Sequence, residues 1–356
     1  MPINRSQFIK SIGLGAAFHL LESNTHQESR AQKQSRDGLN KSQFNKNNLA
    51  LKPKALQKGI TLGLVSPASP VYNSDDFDEM LVKVESLGYK IVLGQHVRDR
   101  RGYLAGSDQD RAKDIMNMFL NPKIDGILCV RGGWGCNRIL PYLDFEAIAA
   151  NPKVLCGFSD ITSLHLSLWE KSRLHTFHGP VGTSSWSSYS TRYFKEVIEK
   201  GGKPTYQYPE NYGDDHHTIV AGRSEGILLG GNLTVLCSLI GSEYMPDFTD
   251  SILYLEDIGE DVYRVDRMLT QLKLSGILNK INGFVFGKCT NCDAGANSLS
   301  LTQVFEDHIR PLGVPSFYGA LISHEIDNST IPVGISASMD AELGAIELLE
   351  SAVTLS

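Results

Sequence analysis

A serine, a glutamate and a histidine each come at the end of a strand-like apolar run in this sequence. Ser159 lies in VLCGFSDITSLHLSLW, Glu256 in SILYLEDIGE, and His324 in LISHEIDNSTIPV. A serine hydroxyl is a weak nucleophile until a histidine takes its proton, and a carboxylate can hold that histidine in the required tautomer. The three residues therefore have the composition of a hydrolase triad, which is recognised by geometry and can occur in any chain order.

The pattern around Ser159 is that of a strand, a sharp turn and a helix. Gly157 precedes the serine, and apolar residues recur on one face of the helix that follows. A helix N-terminus favours negative charge that develops beside it. The G-x-S-x-G pattern of a nucleophile elbow is absent, because Asp160 and Ile161 follow the serine. A simple helix cap by Ser159 or Asp160 is the alternative interpretation.

The other two residues also have simpler interpretations. Glu256 could be a solvated strand end, and a lone histidine such as His324 is more often structural than catalytic. Among the remaining histidines, His165 falls within a predicted helix, whereas His178 in FHGP follows a strand-like run and is a candidate to line the site. Spacing along the chain does not by itself bring the three residues together.

A glycine-rich segment follows another buried strand pattern, in IDGILCVRGGWGCNR at 124–138. Glycines at the carboxyl end of a strand let the backbone approach a ligand closely and expose N–H groups. The segment has neither the G-x-G-x-x-G spacing of a dinucleotide site nor the G-K-[ST] of a P-loop. A tight turn that binds no ligand is equally compatible with it.

Alternating strand and helix patterns surround these residues in the first half of the chain. Strands that are apolar on both faces and alternate with helices predict an α/β domain with a parallel sheet, which we expect over 57–185. The predicted strands are 60–66, 89–93, 124–130 and 154–158, and the predicted helices are 75–87 and 108–120.

The texture of the sequence changes after this domain. Residues 186–222 include a stretch that is rich in Tyr, Pro and Asn and has little helical or strand periodicity. We expect this segment to connect two domains. Short apolar runs punctuated by glycine predict a β-rich domain over 223–356, with one clear helix at 263–274.

The beginning of the chain is expected to lie outside the folded part. Residues 1–23 have a short basic start and a weakly apolar stretch, a pattern that slightly favours an export signal and a periplasmic location over a frayed amphipathic helix. Residues 24–56 are rich in Gln, Asn, Ser and Lys and predict a disordered linker. We therefore expect the fold to begin near Gly59.

Composition excludes several classes of partner. The net charge is −6, from 34 Lys and Arg against 40 Asp and Glu, so that no basic surface for nucleic acid is indicated. The sequence has no run of about 18 apolar residues that would span a membrane.

The cysteines do not follow the pattern of a disulfide framework. Cys129 and Cys156 lie in buried strand patterns, and Cys289 and Cys292 form a lone C-x-x-C without the further ligands that a zinc site needs. We expect no metal and no cofactor, because a serine triad needs neither.

Five motifs together give the sequence a family resemblance that covers about residues 58–350. They are V-S-P-A-S-P, R-G-G-W-G, G-F-S-D-I-T, L-E-D-I-G-E and S-H-E-I-D followed by I-P-V-G-I-S-A-S-M-D. In this order they resemble the LD-carboxypeptidases, serine peptidases that include the microcin C7 self-immunity proteins. One departure is Ser323, where the family usually has glycine.

The resemblance implies roles for particular residues. It implies a triad of Ser159, Glu256 and His324, with an oxyanion hole formed by backbone N–H groups of Asp160 and a loop glycine, which we assign to Gly133. It also implies a two-domain fold with a swivelling β-rich C-terminal domain, and commonly a homodimer. We assign substrate binding to four further residues: Arg131, Gly132, Trp134 and Asn232.

The resemblance also implies the substrate. LD-carboxypeptidases release terminal D-alanine from an L-centred residue of murein tetrapeptides, so we expect a small muropeptide substrate. The usual members act in the cytoplasm, so an exported copy would be a variant. Two alternatives stay open: hydrolysis of a peptidyl- or acyl-nucleotide antibiotic, and a muropeptide-binding protein with an inactive triad. Labelling by a serine-reactive probe would distinguish the last from the others.

Overall fold

The computed structural model describes residues 49–208 and 216–355, and the chain from Ala50 onward forms one compact unit. The expected export signal at 1–23 lies outside the described residues. The strands are β1 (Thr61–Val65), β2 (Lys90–Leu93), β3 (Gly126–Cys129), β4 (Val154–Gly157), β5 (Thr176–His178), β6 (Thr205–Gln207), β7 (His217–Val220), β8 (Arg223–Asn232), β9 (Ser251–Ile258), β10 (Gly283–Thr290), β11 (Ser316–Tyr318), β12 (Ile331–Val333), β13 (Ser336–Asp340) and β14 (Ala345–Leu348).

Eight α-helices in the described part of the chain cover and connect these strands. They are α1 (Ser74–Ser86), α2 (Asp108–Leu120), α3 (Phe145–Ala149), α4 (Thr162–Ser172), α5 (Ser188–Phe194), α6 (Leu233–Leu239), α7 (Val262–Leu274) and α8 (Leu301–His308). A π-helical segment, Lys195–Glu199, continues α5, and a single 3₁₀ turn, Ser159–Ile161, precedes α4.

The first sheet has six strands in the order β12-β5-β4-β3-β1-β2. Strands β1 to β5 pair in parallel, and every residue of β3 and β4 is buried. Burial on both faces explains why these strands read as continuous apolar runs. The predicted α/β fold with a parallel sheet is therefore confirmed, and the helix predicted at 108–120 coincides with α2.

The second sheet has eight strands in the order β6-β14-β13-β8-β9-β10-β11-β7. Its centre, β8 to β11, is parallel, whereas the strands on either side join antiparallel. The segment for which we expect an interdomain connection includes α5 and two edge strands of this sheet, β6 and β7. The sequence predicts the β-rich character of this half but not its strand order.

The two sheets are tied together by the chain itself. Strand β12, from the C-terminal half, pairs antiparallel with β5 of the first sheet, with Ile331 opposite His178. On the other side, the backbone N–H of Asn232, at the end of β8, donates to Thr162 Oγ1 on α4 at 2.9 Å. The carboxyl end of β8 therefore lies beside the helix that follows Ser159.

The folded part begins earlier than the sequence predicts. Leu56 is only 1% exposed, and the N–H of Ala55 donates to the carbonyl of Thr354 at 2.9 Å. Leu51 exchanges backbone hydrogen bonds with the chain around Leu174, just before β5. Residues 50–56 are therefore packed rather than part of a disordered linker, because their few apolar side chains find partners far away in the sequence.

One pair of cysteines also differs from expectation. Cys289 and Cys292 form a disulfide across the turn that ends β10, with their Cα atoms 5.4 Å apart. The turn brings the two residues of the C-x-x-C together, since the N–H of Cys292 donates to the carbonyl of Cys289. The cysteines outside this pair are free and buried. Of the helices in residues 49–208 and 216–355, none has the length and apolar character needed to cross a membrane.

Candidate active site

Ser159 stands on a sharp turn between β4 and α4. Its φ is +63°, in the left-handed region that non-glycine residues rarely occupy, while Phe158 before it is extended. A serine in this conformation at the carboxyl end of a parallel strand resembles the strained turn of a nucleophile elbow, although the usual glycines are missing. Its half-buried side chain is presented at the edge of the sheet where ligands of α/β folds bind.

The glycine-rich loop after β3 passes directly over this turn. A Cβ added at Gly132 would lie 2.8 Å from the Cβ of Ser159, so only glycine allows this approach. Gly133 has a φ of +117°, and the N–H of Trp134 donates to Ser69 Oγ at 3.2 Å. The loop is thereby fixed above the serine, with Gly132 close to Ser159 and Gly133 close to Ser69.

The side chain of Asp160 ties the two segments together. Its Oδ2 accepts a hydrogen bond from the backbone N–H of Cys136 at 2.7 Å, and the residue is 4% exposed. Burial raises the pKa of this carboxyl group, although the hydrogen bonds from Cys136 and the charge of Arg111 oppose the rise. The side chain of Asp160 is therefore buried within the protein and joins the turn to the chain after the glycine-rich loop.

Glu256 and His324 form a hydrogen-bonded pair in the second half of the chain. Glu256 Oε2 and His324 Nδ1 are 2.7 Å apart, and the glutamate is fully buried. Burial alone would lower the pKa of His324, but the hydrogen bond and charge of Glu256, helped by Asp257 and Glu325, raise it above its ordinary value. A histidine bound through Nδ1 in this way is held in the orientation and tautomer that leave Nε2 free.

Neighbours of Ser159 on both sides contact the elements that carry this pair. The ring of Phe158 packs against the ring of His324 with centroids 4.8 Å apart. Asn232, whose N–H bonds Thr162, stands next to Glu256 in the register of β8 and β9. The three residues that the sequence singled out thus lie at one junction between the two sheets.

Ser159 Oγ and His324 are not joined by a hydrogen bond within the residues the structure describes. Catalytic hydrogen bonds are often long before substrate binds and tighten in the complex. The structure therefore orients His324 through Glu256 and places its ring against Phe158, the residue before Ser159.

Asp257 and Glu256 are neighbours in sequence but serve different sides of β9. The carboxylate of Asp257 accepts hydrogen bonds from Asn232 Nδ2 at 2.9 Å and from both the N–H and the hydroxyl of Thr234. Burial, together with the charge of Glu256, raises its pKa to about 6. Because side chains alternate along a strand, Asp257 supports the start of α6 while Glu256 faces His324.

The residues assigned to substrate binding lie in two places. Arg131 and Trp134 flank the glycines of the loop; Arg131 Nη1 donates to the carbonyl of Pro70, and Trp134 is 52% exposed. Asn232 is 3% exposed and caps α6, since its Oδ1 accepts the N–H of Val235. Its amide retains one N–H and one lone pair after the contacts to Asp257 and Val235.

A cavity of about 220 Å³ opens beside His324, at a place that the sequence analysis did not indicate. It is bordered by Phe158 and by polar side chains that include Ser184 and Asn328. These lining residues come from separate loops and from α5, so no local sequence signal marks them together. The sequence did mark His178, which is buried behind Phe158 with ring centroids 6.0 Å apart.

The described residues also bring together one group with the composition of a metal site, away from the triad residues in sequence. Potential ligand atoms of His96, Asp99 and Asp110 lie within 4.8 Å of one another. His96 Nδ1 is 2.8 Å from Asp99, and this contact, against some burial, raises the pKa of the histidine. The three residues have the properties of a partly exposed ion-pair cluster, and the triad chemistry does not need a metal.

Comparison with known protein families identifies both halves of the chain. The model of the LD-carboxypeptidase N-terminal domain matches residues 62–179, and the model of the LD-carboxypeptidase C-terminal domain matches residues 225–339. The chain therefore belongs to the LD-carboxypeptidase family. The resemblance inferred from the five sequence motifs is confirmed.

Individual relatives agree over nearly their whole length. A probable murein peptide carboxypeptidase of Bacillus subtilis is 36% identical over 299 residues, covering 82% of this chain and 92% of the relative. The murein tetrapeptide carboxypeptidase of Pseudomonas aeruginosa is 34% identical over 289 residues, covering 78% and 92%. A solved structure of the microcin C7 self-immunity protein MccF with glutamyl sulfamoyl guanosine has a TM-score of 0.79 at 26% identity, covering 85% of this chain and all of MccF.

Proposed function

We propose that this protein is a serine LD-carboxypeptidase that releases terminal D-alanine from a murein tetrapeptide. The observation that carries the proposal is the buried hydrogen bond between Glu256 and His324, placed against Phe158 and hence beside the turn of Ser159. Membership of the family and the names of the two bacterial carboxypeptidases support the reaction and the substrate.

In the proposed mechanism, Ser159 Oγ attacks the carbonyl carbon of the L,D peptide bond while His324 Nε2 takes the hydroxyl proton. Backbone N–H groups of Gly133 and Asp160 stabilise the oxyanion of the tetrahedral intermediate. His324 then returns the proton to the leaving nitrogen, so that D-alanine departs with its amine intact and an acyl-enzyme remains. A water molecule, deprotonated by His324, hydrolyses the ester and restores Ser159.

Glu256 has two tasks in this scheme. It keeps the imidazole of His324 in the tautomer with Nδ1–H, and its negative charge stabilises the imidazolium that forms when the serine proton is taken. The raised pKa of His324 is the expected consequence of that charge.

The assigned substrate-binding residues suit the chemistry of a short peptide. The guanidinium of Arg131 matches a carboxylate, which a carboxypeptidase substrate carries next to the cleaved bond. Trp134 offers an exposed aromatic face, while Gly132 and Asn232 offer a peptide group and an amide at the carboxyl ends of β3 and β8. The cavity beside His324 has room for a small side chain.

Cleavage of a peptidyl- or acyl-nucleotide is the second candidate function. It is favoured by the likeness to MccF, which has been solved with glutamyl sulfamoyl guanosine and with aspartyl sulfamoyl adenosine. Both candidates use the same triad and differ only in what the binding residues accept.

One experiment separates these candidates. The full chain is incubated with murein tetrapeptide and, separately, with aspartyl sulfamoyl adenosine, and products are identified by mass spectrometry. We expect D-alanine from the tetrapeptide, no release by Ser159→Ala, and normal release by Ser172→Ala, a serine at the far end of α4. Cleavage of the nucleotide alone would favour the second candidate.

A serine-reactive phosphonate probe covers the remaining alternative, a muropeptide-binding protein with an inactive triad. We expect the probe to label the parent and Ser172→Ala but not Ser159→Ala. Binding of the tetrapeptide without labelling or turnover would support the binding protein and exclude the enzyme.

Two further predictions concern the protein in the cell. We propose that it is a homodimer that acts on murein-derived peptides, and that the leader at 1–23 directs export. Analytical ultracentrifugation measures the first property, and N-terminal sequencing of the protein recovered from cell fractions measures the second.

A further inference from the structure

A group of buried polar atoms lies behind the pair of Glu256 and His324 and has no role in the mechanism above. Among the described residues, five buried side-chain atoms of this group lack a hydrogen-bond partner: His178 Nδ1, His178 Nε2, Tyr254 OH, Glu256 Oε1 and Thr330 Oγ1. Buried polar atoms in native proteins are normally hydrogen-bonded, and one without a partner is costly. Several such atoms together at a candidate active site therefore indicate a shared function.

The fold brings these atoms to one place. Tyr254 and Glu256 are two residues apart on β9, so their side chains project from the same face of the second sheet. His178 ends β5 of the first sheet, and its ring meets that of Tyr254 edge to face with centroids 5.7 Å apart. Thr330 precedes β12, the strand that pairs with β5, and its Oγ1 lies beside Gly179.

The group combines one hydrogen-bond acceptor, from Glu256, with donors from Tyr254 and His178. Glu256 Oε2 already binds His324, so Oε1 is an acceptor that needs a donor. Burial raises the pKa of Tyr254, with the charge of Glu256 adding to the rise, so the phenol keeps its O–H as a donor. Burial lowers the pKa of His178 well below its ordinary value, so its ring is neutral and carries one N–H donor.

We propose that Tyr254 and His178 are positioning residues, which hold the catalytic carboxylate by donating to one bound water that in turn donates to Glu256 Oε1. Held at both oxygens, the carboxylate cannot rotate away from His324, and His324 keeps its direction toward Ser159. The inference deepens the proposed function and rests on the triad assigned there. It gives His178, on the first sheet, a water-bridged link to Glu256 and His324 on the second.

The test measures the pKa of His324 and needs no substrate. The full chain is labelled with ¹⁵N-histidine, and the imidazole resonances are followed by NMR as the pH is changed. The resonances of His324 are those missing from the spectrum of His324→Gln. Tyr254→Phe removes one oxygen and keeps the packing. The lost donor leaves the charge of Glu256 less stabilised, so the pKa of His324 should rise by about half a unit.

Matched variants decide what the shift means. Tyr89→Phe makes the same change at a buried tyrosine whose hydroxyl binds Glu199 elsewhere, and it should leave the pKa of His324 unchanged. His178→Leu should act like Tyr254→Phe, and His178→Gln, which keeps an N–H, should act less. The charged or titratable groups that face His324 otherwise, Asp257 and Glu325, are the same in all these variants.

Coupling to Glu256 is the sharpest readout. In a Glu256→Gln background, Tyr254→Phe should no longer shift the pKa of His324.

On murein tetrapeptide, Tyr254→Phe should lower kcat on the order of tenfold with KM unchanged. An unchanged or lowered pKa of His324 in Tyr254→Phe, or a shift that persists without Glu256, would overturn the inference. A parent protein that leaves the tetrapeptide intact would overturn the proposed function, while the titration would still decide the positioning role.

Discussion

The turn that carries Ser159 and the pair of Glu256 and His324 are held by different kinds of interaction. The turn is fixed by backbone: a left-handed residue, a glycine loop that passes within contact of it, and a carboxylate that binds a peptide N–H. The pair is fixed by buried side chains that come from strands and loops far apart in the chain.

This difference has a consequence for function. Backbone geometry places Ser159, the proposed nucleophile, and the glycine-rich loop above it whatever the charge state of the protein. The proposed base, His324, depends instead on electrostatics in a buried environment, where Glu256 orients the imidazole and, helped by Asp257 and Glu325, raises its pKa against the effect of burial. Changes to the first region should therefore alter kcat at every pH, whereas changes to the second should also move the pH profile.

The largest loss of kcat is expected when Ser159 or His324 is replaced, because the proposed mechanism needs both residues. Ser159→Ala should lower kcat on the order of 10⁴-fold or more, and His324→Ala should lower it by a comparable factor. The double variant should be no worse than either single one, because serine and histidine act as one unit. Steady-state release of D-alanine measures all three. Losses that multiply in the double variant would place the residues in separate functions.

Glu256→Gln should have the next largest effect and should change the pH dependence. An amide cannot hold the histidine as a carboxylate does, so kcat should fall about 10⁴-fold or somewhat less. His324 must be unprotonated to take the serine proton, and its pKa is raised, so activity of the parent should fall as pH drops through a value above about 6.5.

Removal of the charge of Glu256 lowers the pKa of His324, and the acid limb of kcat/KM should therefore move to lower pH. A pH–rate profile of the parent and of Glu256→Gln tests this. An acid limb at the same pH in both proteins would mean that Glu256 does not set the pKa of the base.

Gly132→Ala tests the backbone region. The added methyl group would meet Ser159, so either the loop or the turn must move, and kcat should fall about 10²-fold. The pH profile should keep its shape, because Glu256 and His324 are unchanged in this variant. Gly295→Ala is a matched control, since a Cβ there meets no atom within 4 Å. Full activity of Gly132→Ala would show that the loop need not approach the serine so closely.

The same division explains how much the sequence could predict. The parallel sheet, α2 and the turn of Ser159 follow from local patterns: apolar runs, helical spacing and a glycine before the serine. Strand-end patterns single out Glu256 and His324 as candidates, and the family motifs select the same two residues.

Contacts between distant segments leave no local pattern and were not predicted. Strand β12 crosses back to the first sheet, Tyr254 faces His178 across the junction, and residues 50–56 pack against the C-terminal end. Each depends on which surfaces meet after the elements have formed. The disulfide between Cys289 and Cys292 is a partial exception, since the C-x-x-C spacing is visible but the turn that closes it is not.

Residues 50–56 give the smallest expected effect, on stability and not on chemistry. They contact both the chain before β5 and the C-terminal end, so they join two segments that are far apart in the sequence. A chain that starts at Ala50 should match the full chain in unfolding free energy and kcat. A chain that starts at Lys58 loses the burial of Leu56 and several backbone hydrogen bonds, which should lower the free energy of unfolding by about 3 kcal/mol. Because no atom of the site is removed, kcat per folded molecule should stay within about twofold.

Urea unfolding of both chains, with Leu56→Ala in the longer one as a single-residue comparison, measures the effect. Equal stability of the two chains would show that residues 50–56 do not stabilise the fold, as expected of the linker that their composition predicts.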